Sequence, residues 1–72
     1  MFDKNGESLS KGDIVLLWKT QEYIGEIKVI DVPYPYPPIF VKLLNAEAAY
    51  WSKPEELIKI TKEEAIIRLL ET

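Results

Sequence analysis

Cysteine and histidine are both absent from this chain of 72 residues, and glycine occurs only three times. Without cysteine there is no disulfide framework and no thiolate metal site. Without histidine the commonest metal ligand and the usual general base are gone. Gly6, Gly12 and Gly25 are too scattered to form a phosphate-cradling loop. No segment approaches the roughly 20 apolar residues of a membrane span, and Met1 to Gly6 contains no apolar signal core. A surplus of one charge is missing too. Nine basic and twelve acidic residues give a net charge of −3, with both signs spread along the chain. A dedicated phosphate-backbone binder shows a basic stripe or excess. These absences read as a complete, cytoplasmic chain with no membrane contact, no metal and no cofactor.

The remaining polar side chains are carboxylates, lysines, three serines and a few other hydroxyls, which offer neither an activated nucleophile nor a tuned base. Glu55-Glu56 and Glu63-Glu64 are the paired acids. Both pairs fall at expected helix starts, where acids are stabilised by the helix dipole, and neighbouring helical residues do not face each other. The chain is therefore not expected to be an enzyme.

Hydrophobic residues make up 47% of the sequence, and a chain of this size needs most of them for one core. Asn5-Gly6 marks a tight turn inside a hairpin or loop over 2–9, because that dipeptide tolerates positive φ. The run Ile14-Val15-Leu16-Leu17-Trp18 predicts a first strand over 13–20 buried on both faces, so another element must cover its second face. A second strand over 23–32 places Ile27 and Val29 on one face, with Glu26, Lys28 and Ile30 on the other. Gly25 within it predicts a bulge or a close backbone approach.

Pro33-Tyr34-Pro35-Tyr36-Pro37-Pro38 then interrupts pairing with an extended loop, since four prolines supply no N–H. A third strand over 39–44 follows. The segment 45–49 is open between a plain turn and a helical turn, and Tyr50-Trp51 begins a fourth strand. Ser52-Lys53-Pro54-Glu55 has capping-box spacing and predicts a 3₁₀ turn over 54–57 before a last strand over 58–60. Thr61-Lys62-Glu63-Glu64 is a second capping box, opening a helix over 62–71 that carries Ile66, Leu69 and Leu70 on one face beside Ala65. So short a helix must dock, and the first strand's outer face or one barrel end is its expected seat.

Five short strands with a 3₁₀ turn before the last, together with Gly12-Asp13-x-Val15 and Gly25-x-Ile27, resemble the SH3-like small β-barrels, including KOW and Tudor-type domains. The resemblance covers about residues 12–60. Within residues 3–16, Asp3-Lys4-Asn5-Gly6 and Gly12-Asp13-Ile14-Val15 look like the opening of phage-encoded proteins of the YopX type. The resemblance implies a mainly β single domain over 1–72: a five-stranded barrel over 12–60 and a helix over 61–72 packed on it. The Ala-Leu-Tyr-Asp-Tyr segment of signalling SH3 domains is absent, so proline-peptide recognition is not implied.

The aromatic residues carry the functional reading. Trp18, Phe40 and Trp51 are expected to fill the core, whereas Tyr23 and Tyr50 can serve either core or surface. Alternation with proline makes it hard to bury both Tyr34 and Tyr36. The expectation is a non-catalytic domain that binds a protein partner through Tyr34, Tyr36 and Pro38, with Tyr23, Tyr50 and Trp51 beside them. Two alternatives stand. One is a nucleic-acid-binding barrel using Lys19, Lys28 and Lys42, which the charge balance disfavours. The other is a small subunit of a larger complex. A monomer or weak homo-oligomer fits all three.

Overall fold

The pattern of apolar residues resolves into two cores, one on each face of a single curled sheet. A computed structural model describes residues 1–19, 22–33 and 37–71. Five antiparallel strands, β1 (Ile14–Leu17), β2 (Ile24–Val29), β3 (Ile39–Leu43), β4 (Ala49–Ser52) and β5 (Leu57–Lys59), are ordered β4-β3-β2-β1-β5. The sheet curls into a half-barrel with β4 and β5 at its edges. A 3₁₀ turn (Pro54–Glu56) precedes β5, and one helix, α1 (Lys62–Leu70), follows it.

Alternation along β1 explains its unbroken apolar run. Val15 and Leu17 face inward with Ile27, Ile39, Val41, Leu57 and Leu9, while Leu16 faces outward with Ile24 and Ala65. Both faces of β1 are buried, as expected, and α1 covers the outer one. The face it uses differs from the amphipathic reading. Ala65 and Leu69, one turn apart, pack toward Leu16, Ile14 and Ile58, whereas Ile66 and Ile67 are more than half exposed and Leu70 is 81% exposed. Ala65 is the buried residue of α1, and with Ala65 and Leu69 turned to the sheet the helical rotation carries the three larger side chains outward.

Gly25 is the close approach anticipated from the sequence. A Cβ there would collide with the Val41 side chain and lie 3.2 Å from the Lys42 carbonyl oxygen. The bulge lies elsewhere: Ile27 pairs with Val41 but Val29 pairs with Phe40, so Lys28 is the extra residue. A single extra residue reverses inward and outward beyond it. Val29 is consequently exposed and Ile30 packs on the inner core, the reverse of simple alternation. β2 ends at Val29, short of the 32 expected, and Asp31 at φ 63° lies beyond it in non-strand backbone.

The expected 3₁₀ turn is present, but Lys53 rather than Ser52 precedes it, and the Lys53 N–H donates to Glu56 Oε1 at 3.2 Å. Ser52 is buried in β4, with its hydroxyl donating to the Lys53 carbonyl. Thr61 caps α1 as read, accepting from the Glu64 N–H at 3.1 Å, and Glu64 pairs with Arg68 one turn on at 3.5 Å. Residues 44–47 form bends, not a helical turn.

The N-terminal hairpin fastens the β5 edge. Phe2 bridges Ser8 around Asn5-Gly6, and Gly6 has φ 82°. Asp3 is buried, and its Oδ1 accepts from the N–H groups of Asn5 and Glu7, both at 2.8 Å. Its Oδ2 accepts from the Lys59 N–H at 2.7 Å, and the Lys4 N–H donates to the Leu57 carbonyl at 2.9 Å.

Candidate functional site

Three backbone bonds assemble one end of the half-barrel. The Leu17 N–H donates to the Tyr23 carbonyl at 3.1 Å, the Trp18 N–H to the Glu56 carbonyl at 3.0 Å, and the Leu43 N–H to the Ala48 carbonyl at 3.0 Å. Asn45 ties the β3–β4 turn to the start of β2: its side-chain oxygen accepts from the Ile24 N–H at 3.1 Å, and its amide donates to the Glu22 carbonyl at 2.7 Å. The ends of four strands and the 3₁₀ turn are thereby held around one opening.

That opening is an apolar groove of 430 Å³ lined by Leu17, Tyr23, Leu43, Ala48 and Tyr50, with Lys19 and Glu56 as its charged members. The volume lies in the range of ligand sites, about 300 to 1,000 Å³. Leu17 belongs to the inner core and Leu43 packs against it, so the groove is the place where that core opens to water. Tyr50 lies opposite Val41 on the inner face of β4 and stays 39% exposed. Tyr23, at the entry to β2, is 40% exposed.

Burial raises the Tyr50 phenol above its ordinary value; a bond with the Ser52 side chain opposes the rise, and the Glu56 charge adds to it. Glu56 is itself anchored. Its Oε1 takes the Lys53 N–H, while Oε2 lies 4.0 Å from Lys19 Nζ, beyond hydrogen-bond distance. The Lys19 side chain is 78% exposed. The groove therefore pairs a carboxylate held by a backbone N–H with a cation whose side chain is mostly in water.

Of the residues expected to bind a partner, the structure brings Tyr23 and Tyr50 together. It turns Trp51 away: on the outer face of β4, its ring lies 4.8 Å from that of Phe40, tilted by 55°. Pro38 is half-buried at the foot of the proline–tyrosine segment, where its carbonyl accepts from the Val32 N–H at 3.1 Å. Tyr34 and Tyr36 lie outside the described residues.

The three rings expected in the core are not there. Trp51 is 40% exposed and Trp18 37%, and Phe40 is half-buried. Aliphatic residues fill the thin inner layer, and Trp18 instead receives Lys4, whose Nζ stands 3.8 Å from the ring centroid.

The lysines do not form a stripe. Lys19 belongs to the groove, Lys28 contacts Glu26 at 3.1 Å, and Lys42 pairs in register with Glu26 across the outer face. The groove's aliphatic floor, the anchored Glu56 and the bracing Asn45 were not identified from sequence. The usable signal was Glu56 in a predicted 3₁₀ turn beside a strand end. Among the described residues no group of three or more acidic side chains is placed to hold a metal ion, and no helix is long and apolar enough to cross a membrane. Comparison with protein-family models, with curated proteins and with solved structures finds no match.

Proposed function

We propose that this chain is a small non-catalytic interaction domain of the SH3-like kind, which binds a segment of a protein partner in the groove between Tyr23 and Tyr50. The observation that carries the reading is that groove. It is an apolar opening in the inner core, walled by two half-exposed tyrosines. Tyrosine suits such a wall because a large rigid ring is committed at low entropic cost, with a hydroxyl left for polar contact. The strand order and the 3₁₀ turn before β5 support the SH3-like assignment.

The test is selection of peptides from a random display library on the folded domain, followed by mapping of their binding by amide chemical shifts. The expected result is peptides that shift Leu17, Tyr23, Leu43 and Ala48 and lose about thirty-fold in affinity on Tyr50→Ala, the size of a binding hot spot. Peptides that bind Tyr50→Ala as well as wild type sink the proposal. Tyr34→Ala with Tyr36→Ala in the same assay tests whether the proline–tyrosine segment joins the surface.

A second reading, a subunit of a larger assembly, is favoured by the outward ridge of Ile66, Ile67 and Leu70 on α1. Self-association above the 8.3 kDa monomer mass, abolished by Ile67→Glu, would support it.

A further inference from the structure

We infer that the groove selects a basic side chain, a lysine or arginine of the bound segment, laying its aliphatic stem between Tyr23 and Tyr50 and its charge against Glu56. This rests on the proposal that the groove binds a protein segment and adds the chemistry of the residue it takes. The two charges in the groove are held differently. Glu56 lines the groove and is held by the Lys53 N–H at Oε1, which leaves Oε2 outside that bond. Lys19 keeps most of its side chain in water and stands 4.0 Å off, so an incoming cation displaces it with little loss.

The surroundings favour the same sign. The described segments bordering the groove carry Glu22, Glu47, Glu55 and Glu56 against Lys19 and Lys53, four acids to two bases, in a chain of net charge −3. Such a field draws a cation toward the opening and repels an acidic segment. The lining fits the stem: Leu17, Leu43 and Ala48 offer aliphatic surface to methylenes, and tyrosine faces attract a cation passing over them. An acidic residue would meet Glu56 at short range. A purely apolar one would leave the Glu56 oxygen facing it without a partner.

The experiment titrates the full chain with three acetylated, amidated tripeptides, Gly-X-Gly with X lysine, norleucine or glutamate, followed by amide chemical shifts of the groove residues. Lysine is expected to bind about five-fold more tightly than norleucine, the scale of a partly exposed ion pair, and glutamate more weakly than either. In Glu56→Gln, whose amide oxygen still accepts from the Lys53 N–H, the lysine peptide is expected to fall to the norleucine level. Equal binding of lysine and norleucine to wild type overturns the cation preference and leaves the groove reading standing. Preference for glutamate also overturns it, assigning the selection to Lys19. If none of the three shifts the groove residues, the preference and the groove reading fail together.

Discussion

The β5 side of the half-barrel and the groove beside Tyr50 are both made of strand ends and short connections, yet they spend their polar groups differently. At β5 the side chains close inward. Asp3 satisfies three backbone N–H groups, and Lys59 reaches Asp13 at 3.4 Å and the Ser8 carbonyl at 3.2 Å. At the groove the carboxylate of Glu56 is anchored through one oxygen, with the other 4.0 Å from Lys19 Nζ, and the tyrosines keep about two-fifths of their surface in water. The lesson is that in so small a domain the polar groups consumed internally mark where the fold is held, and those left over mark where it can act.

Substitutions can break that contrast. Asp3→Ala removes three charge-assisted bonds at once and is expected to cost about 3 kcal/mol in chemical denaturation, a large part of the stability of a domain this size. A loss below about 0.5 kcal/mol would mean that the N-terminal hairpin is decoration and not a fastening. Lys19→Ala, on the groove side, is expected to stay within about 0.5 kcal/mol of wild type by the same measurement, because a mostly exposed pair at 4.0 Å contributes little. A larger cost would place Lys19 among the structural groups and remove the contrast.

The smallest expected effect concerns pH. Because the folded Tyr50 phenol titrates above its unfolded value, its contribution to stability is present below the ordinary tyrosine pKa of 10.0 and is lost as pH rises from there through the folded value. Tyr50→Phe should flatten the alkaline limb of stability against pH, and the difference between the absorbance titrations of wild type and Tyr50→Phe should show the Tyr50 phenol ionising above 10.0. An unchanged limb would mean that the groove leaves Tyr50 as wet in the fold as in the unfolded chain.

Local signals in the sequence reached far into the fold. The Ile14-to-Leu17 run announced a strand buried on two sides, Pro54 announced the 3₁₀ turn, and Thr61 capped the helix it was expected to cap. What escaped depended on long-range packing. Helical spacing puts Ile66, Leu69 and Leu70 on one docking face beside Ala65; the sheet takes Ala65 and Leu69 and leaves Ile66 and Leu70 exposed, a rotation of the helix that spacing alone does not fix. Trp18, Phe40 and Trp51 were assigned inward by hydrophobicity, whereas the thin layer between the curled walls is filled by leucine, isoleucine and valine. For the candidate site, Tyr23 and Tyr50 were legible as ambivalent residues. Their meeting was not, because it depends on Asn45 bracing two connections 21 residues apart in sequence.

Lys28 sets the phase of the sheet. A strand of period two has two phases, and the extra residue switches β2 from one to the other partway along, so Ile27 and Ile30 both serve the interior although three positions apart. Position-by-position comparison across Lys28 with an unbulged strand would equate inward with outward residues from Val29 onward. Deleting Lys28 would leave a regular strand in which Ile27 and Ile30 still face inward and Val29 still lies opposite Phe40, so the insertion places one additional lysine in β2 and leaves the interior unchanged.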